Sequence, residues 1–137
     1  MSKMSETEFG HRIVRAITHM IPDRIMLEKT TPGMYSGKGM PDYIGVCDGK
    51  FIGIEMKLYP GRFSDEQMAW MKQVNKRGGI AIGCVLMDDG DALLFRPLEK
   101  AFSYKNRGNW LKVSAVGPSF DVAKLLLVMT GKLIVGE

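Results

Sequence analysis

The stretch from Gly39 to Lys57, GMPDYIGVCDGKFIGIEMK, constrains the fold of this chain more than any other. Two β-prone apolar runs, Tyr43 to Cys47 and Phe51 to Ile54, flank Asp48-Gly49. A two-residue Asp-Gly loop between such runs is a strong short-range hairpin signal, so two antiparallel strands are expected here. If Cys47 and Lys50 close the loop, the register sets Asp42 across from Glu55 and leaves Lys57 diagonal to Asp42. Side chains alternate faces along a strand, so Asp42, Glu55 and Lys57 project from one face, with the carboxylate Cβ atoms roughly 4.5–5.5 Å apart. Tyr43, Cys47, Ile52, Ile54, Met56 and Leu58 form the other face and read as core. The expectation is a wall with packing behind and charge in front.

Like charges opposed across a ladder destabilise it, so this pair calls for a compensating cation. A hard divalent ion held by carboxylates and water is the simplest one, with Lys57 as a second, fixed positive charge. The same three residues also fit a surface salt-bridge cluster, and a bulge at Pro41 would shift the register by one.

The flanking segments read as alternating helix and strand. Ser5 to Met20 carries Phe9, Ile13, Ala16, Ile17 and Met20 at helical spacing, and Ser5 with Glu8 matches a capping box. Arg12, Arg15 and His19 form another stripe, which fits either a phosphate contact or a solvated face. Pro22 ends the helix, and Arg24 to Thr30 alternates as a strand. The turn-rich run TPGMYSGK at 31–38 precedes Asp42 and either offers Tyr35 for stacking and Lys38 for a phosphate or is a plain connector, its position favouring the first. Beyond the hairpin, Ser64 opens a second helix and Gln67 completes another capping-box pattern, with Met68, Met71 and Val74 as its buried stripe and Gly78-Gly79 as its end. Ile80 to Met87 reads as a buried strand, brought parallel to the Glu55 strand by the helical crossover. Ala92 to Phe95 returns as a second hairpin. Pro97 to Phe102 reads as a short helix, the basic and aromatic run Tyr104 to Trp110 as a plain loop ahead of a grip on a nucleic-acid backbone, and Phe120 to Met129 as a closing helix or a self-association segment.

At the hairpin the sequence resembles a known family. GMPD at 39–42 followed by IEMK at 54–57 is similar to the motif of the PD-(D/E)xK nuclease superfamily, and most closely to its small VRR-NUC branch, related to Holliday-junction resolvases. The similarity runs from about Ser5 to Val85 and takes in the helix bearing Gln67 and Trp70. Met56 departs from the β-branched residue common between the acid and the lysine, at little cost if only its backbone carbonyl is a ligand. The resemblance implies a restriction-endonuclease-like αβββαβ core, an α/β fold with a mixed sheet flanked by helices, here followed by the C-terminal hairpin and helix. It implies a Mg²⁺- or Mn²⁺-dependent endonuclease acting on DNA phosphodiesters, preferably branched or four-way junction DNA in recombination or repair, as a homodimer. Asp42, Glu55 and the Met56 carbonyl would be metal ligands. Lys57 would face the attacking water, and Glu8 and Gln67 would support the site. Lys38, Tyr35 and Arg12 would contact nucleic acid. Other nucleic-acid substrates, or a silent binding module of the same fold, remain open on these residues.

Length and composition agree with that reading without singling it out. A chain of 137 residues suits one domain spanning 1–137. The net charge of +4 and pI near 9.1 suit a polyanionic partner. Without a membrane-length apolar run or the apolar core of a signal peptide, a cytoplasmic location is expected. Cys47 and Cys84 lack metal or CxxC spacing and are expected as buried thiols.

Overall fold

The computed structural model describes residues 5–31, 41–88 and 90–97 and the backbone of 111–114. Helix α1, Glu6–Met20, starts at the N-cap Ser5, whose side chain accepts from the Glu8 amide at 3.1 Å. Strands β1 (Ile25–Lys29), β2 (Tyr43–Cys47) and β3 (Lys50–Leu58) follow. Helix α2, Asp65–Lys76, opens with a complete capping box: Ser64 accepts from the Gln67 amide, and the Gln67 side chain accepts from the Ser64 amide at 2.8 Å. Strands β4 (Ile80–Leu86), β5 (Asp91–Phe95) and β6 (Leu111–Ser114) complete the described elements.

The strands form one mixed sheet in the order β1-β2-β3-β4-β5-β6, with β3 and β4 parallel and the other neighbours antiparallel. This is an α/β architecture, and its first six elements run α, β, β, β, α, β, as expected. The β2–β3 hairpin has Tyr43 opposite Ile54 and Cys47 opposite Lys50, without a bulge between them. Asp48 and Gly49 both have positive φ, 51° and 79°, which is the backbone that a two-residue loop matched to the strand twist demands. β6 has little sequence signal: LKVS is too short, and too close to a basic aromatic run, to stand out by alternation.

Each sheet face has its own core. Phe9, Ile13 and Ile17 of α1 pack on Tyr43, Cys47, Ile52, Ile54 and Met56. On the opposite face Met71 of α2, with Met68, Trp70 and Val74 half-buried beside it, packs on Phe63, Ala81, Val85 and Phe95. Buried Asn75 ties the end of α2 to the sheet. Its Nδ2 donates to the Ala81 and Pro97 carbonyls, and its Oδ1 accepts from the Ala81 amide and from Arg96 Nε. Cys47 and Cys84 are free, buried thiols. No helix among the described residues is long and apolar enough to cross a membrane. The helices expected at 97–102 and 120–129, and the loop at 104–110, lie outside the described residues apart from Pro97.

Candidate active site

The site is built where β2 begins. The ladder between β2 and β3 stops at the Tyr43–Ile54 pair, so the next outward-facing amide on β3, that of Met56, has no strand to meet. Asp42 supplies the acceptor: Met56 N donates to Asp42 Oδ2 at 2.8 Å. The Asp42 carbonyl is held in turn by the Thr30 amide at 2.8 Å, and Thr30 Oγ1 donates to the Pro41 carbonyl at 2.7 Å. Asp42 is therefore placed by backbone amides of Thr30, just past β1, and of Met56 in β3. A residue's N–H and C=O leave a strand on the same side, so the Met56 carbonyl faces the same gap.

Glu55 is the anomaly. It is only 4% exposed, and its Oε2 has no hydrogen-bond partner. Burial, then the Asp42 charge and a hydrogen bond with Asp42, push its carboxyl up to about 9, although Lys57 draws it back down. Neither Asp42 nor Glu55 is in an ion pair with another described residue. The expected open, charged front face is thus corrected. α2 lies on that face, and Trp70 roofs Gly53, where a Cβ would come within 2.7 Å of Trp70 Cη2 and 3.0 Å of Pro41 Cγ. Asp42 and Lys57 stay half-buried while Glu55 goes under.

The other site residues read from sequence divide into three sets. Asp42, Glu55, Lys57 and the Met56 backbone come together. Glu8, Gln67 and Arg12 do not join them. Glu8 is exposed and bonded to Arg12 at 3.3 Å, a pairing one helical turn long that engages both residues on the outer surface of α1. Gln67 Oε1 is committed to the cap of α2. Tyr35 and Lys38 lie outside the described residues.

Sequence reasoning missed Glu6 and Lys29. Glu6, Thr7, Lys29, Asp42, Tyr43 and Met56 line a niche of about 20 Å³, enough for one water or ion. The Glu6 carboxyl is raised by partial burial and by Asp42, against Lys57 and Lys29, which lower it. The helix therefore brings Glu6, not Glu8, to Asp42. A signal existed: Glu6 continues the Phe9, Ile13, Ile17 stripe one turn back and so faces the sheet, whereas Glu8 is turned away. Lys29, opposite Tyr43 in the β1–β2 register, holds its ammonium 5.2 Å from the Tyr43 ring centre. The Tyr43 hydroxyl is buried without a partner, and burial followed by the Asp42 charge raises its pKa.

The donor set suits a small hard cation. A buried carboxylate oxygen without a partner, a second carboxylate beside it and a strand carbonyl facing the same gap are all oxygen donors. Among the described residues no group of three or more His, Cys, Asp or Glu side chains could hold a metal ion, so an ion here would rest on two carboxylates, the strand carbonyl and water.

No protein-family model and no curated protein matches the chain. Among solved structures it is similar to Hjc, a Holliday junction resolvase from the archaeal hyperthermophile Archaeoglobus fulgidus, with 13% identity, a TM-score of 0.48, and coverage of 85% of this chain and 98% of that one.

Proposed function

We propose that this protein is a divalent-metal-dependent endonuclease that hydrolyses DNA phosphodiesters, prefers branched or four-way junction DNA, and acts as a homodimer in recombination or repair. One observation carries the reading: Glu55 is almost wholly buried with one oxygen unpartnered, and its carboxyl lies close enough to Asp42 to feel that charge. An isolated buried carboxylate costs several kcal/mol unless it is neutralised, so this pair calls for a proton or a cation. The αβββαβ order and the GMPD and IEMK segments favour the cation.

Bound Mg²⁺ or Mn²⁺ would supply a water of lowered pKa and relieve charge on a phosphate oxygen. Asp42, Glu55 and the Met56 carbonyl would hold it. Lys57 would orient the attacking water or offset negative charge as the phosphate is attacked, which is the preorganised electrostatics phosphoryl chemistry requires. Glu6 would steady the Asp42 end of the site, and Lys29 would present a second ammonium to the anionic backbone.

A second reading rests on the raised Glu55 pKa. A protonated Glu55 hydrogen-bonded to Asp42 needs no ion, and the chain would then be a nucleic-acid-binding module without turnover. Incubation with synthetic four-way junction, flap and linear duplex DNA, each with Mg²⁺, Mn²⁺ or chelator, separates the two. The nuclease reading expects cleavage with either ion, none with chelator, and loss of cleavage in Asp42→Ala, Glu55→Ala and Lys57→Ala proteins that remain folded. Tight, salt-dependent DNA binding with no ion-activated cleavage favours the silent module. Full activity in Glu55→Ala ends the nuclease proposal.

A further inference from the structure

An open groove of about 500 Å³ runs between β3 and α2, lined by Phe51 of β3, by Trp70, Gln73 and Val74 of α2, and by Arg77 and Gly79 where that helix ends. Phe51 is 41% exposed there. Its ring meets that of Trp70 edge to face, with centroids 5.9 Å apart and planes at 68°. In such a pair the ring that offers its edge has neither face covered by the other. Gly79 leaves room beside them, since a Cβ in its place would come within 2.7 Å of Val74 Cγ1 and 3.3 Å of the Phe51 carbonyl oxygen. Arg77 adds a cation. Its Nη1 donates to Gln73 Oε1, one turn back on α2, and among the described residues it closes no ion pair, so no acid neutralises its charge.

The groove is continuous with the acid site. The Trp70 ring that lines it also covers Gly53, where Pro41, the residue before Asp42, approaches from the other side. Phe51, Gly53 and Glu55 alternate onto one face of β3, which puts Phe51 about 13 Å from Glu55 along the strand, the axial rise of about four nucleotides of a duplex strand. We infer that this groove takes one unstacked base of the DNA strand held at the acid site, with Arg77 on a neighbouring phosphate. A purely apolar ligand would give Arg77 nothing to meet, and a base inside a duplex has both faces committed to its neighbours. An unstacked nucleotide carries in one unit the two things these residues bind, a flat π-surface and an anion. Every base has such a surface, so the contact selects open strand rather than sequence. The inference rests on the nucleic-acid substrate of the proposed function and adds to it a requirement for a base outside the helix near the cut.

Trp70 reports on the groove directly. The chain has two tryptophans, so Trp110→Phe leaves Trp70 as the one emitter. That protein is titrated, with chelator present to stop cleavage, with a short thymidine strand and with a strand of equal length and charge whose sugars carry no bases; fluorescence anisotropy of a dye on the DNA reads total binding. The thymidine strand is expected to quench Trp70 and to bind about tenfold more tightly than the baseless one. Phe51→Leu, which keeps an apolar side chain but removes the ring, should erase most of that advantage with circular dichroism unchanged, whereas Arg77→Gln should lower the salt dependence of both strands alike. Equal affinity for the two strands, or an advantage that survives Phe51→Leu, overturns the inference, as does failure of both strands to bind. A Trp70 signal that neither strand moves although both bind means that another occupant, a protein segment or a second copy, fills the groove, and overturns it too. Metal-dependent cleavage without quenching defeats this inference alone; quenching without cleavage defeats the nuclease reading alone.

Discussion

Glu55 makes a stability prediction that needs no substrate. In the unfolded chain its carboxyl ionises near 4.5, whereas in the fold it holds its proton to about 9. Between those values the unfolded state binds fewer protons than the folded state, so stability falls as pH rises. The slope is about 1.4 kcal/mol per pH unit for one such group, giving a loss of about 3 kcal/mol by neutral pH. For a domain of this size that is on the order of 10 °C in melting temperature. Glu55→Gln keeps the shape and removes the titration. Thermal unfolding of both proteins with chelator, from pH 4.5 to 8.5, should show the wild type losing ground steadily against the variant. Adding Mg²⁺ or Mn²⁺ at the high end should restore the wild type alone, by about 2.7 kcal/mol at a hundredfold excess over the dissociation constant. Parallel pH profiles for the two proteins would refute the reasoning, because the carboxyl would then ionise in the fold as freely as outside it.

Three further outcomes follow from the placements around the site. Glu6→Gln should lower the rate of metal-dependent cleavage by about tenfold or more, the range for a residue that orients a metal ligand, while Glu8→Gln costs only the few tenths of a kcal/mol of an exposed helical pair and leaves cleavage unchanged; single-turnover assays of the two variants decide it. Gln67→Ala should cost about 1 kcal/mol in urea unfolding through the lost cap, with cleavage retained once the protein is folded. Gly53→Ala should destabilise by about 1–3 kcal/mol and also depress cleavage, because the added methyl displaces Trp70 and Pro41 and with Pro41 the backbone of Asp42; equal cleavage at equal folded fraction would detach Trp70 from the site.

What the sequence displayed and what it hid divide along a physical line. The hairpin was legible because the Asp48-Gly49 turn, its positive φ angles and the alternation on both strands are local, and each constrains the same register. The Ser64–Gln67 box was legible for the same reason, since both partners lie within one helical turn. The depth of Glu55 was not, because it depends on where α2 and Trp70 settle over Gly53, a contact between segments about 17 positions apart that no short pattern encodes. The choice between Glu6 and Glu8 lay between these cases: both acids sit in the first turn of α1, and only knowing which stripe meets the sheet separates them.

The burial of Glu55 also weighs against the salt-bridge alternative. A surface ion pair gains at most about 1 kcal/mol, and it does so without desolvating either partner. Here one acid is desolvated, the opposing acid is half-buried beside it, and Lys57 closes no ion pair with either. Such an arrangement lowers stability at neutral pH, and the local bonds do not offset it: Asp42 satisfies the Met56 amide but leaves Glu55 Oε2 without a partner. An Asp42 that only completed the ladder would gain nothing from a neighbouring acid, and a core position at 55 would be filled more favourably by an apolar residue of similar volume. The pair is therefore expected to gain stability when something positive enters the gap, and the metal-dependent recovery of the wild type over Glu55→Gln measures that gain directly.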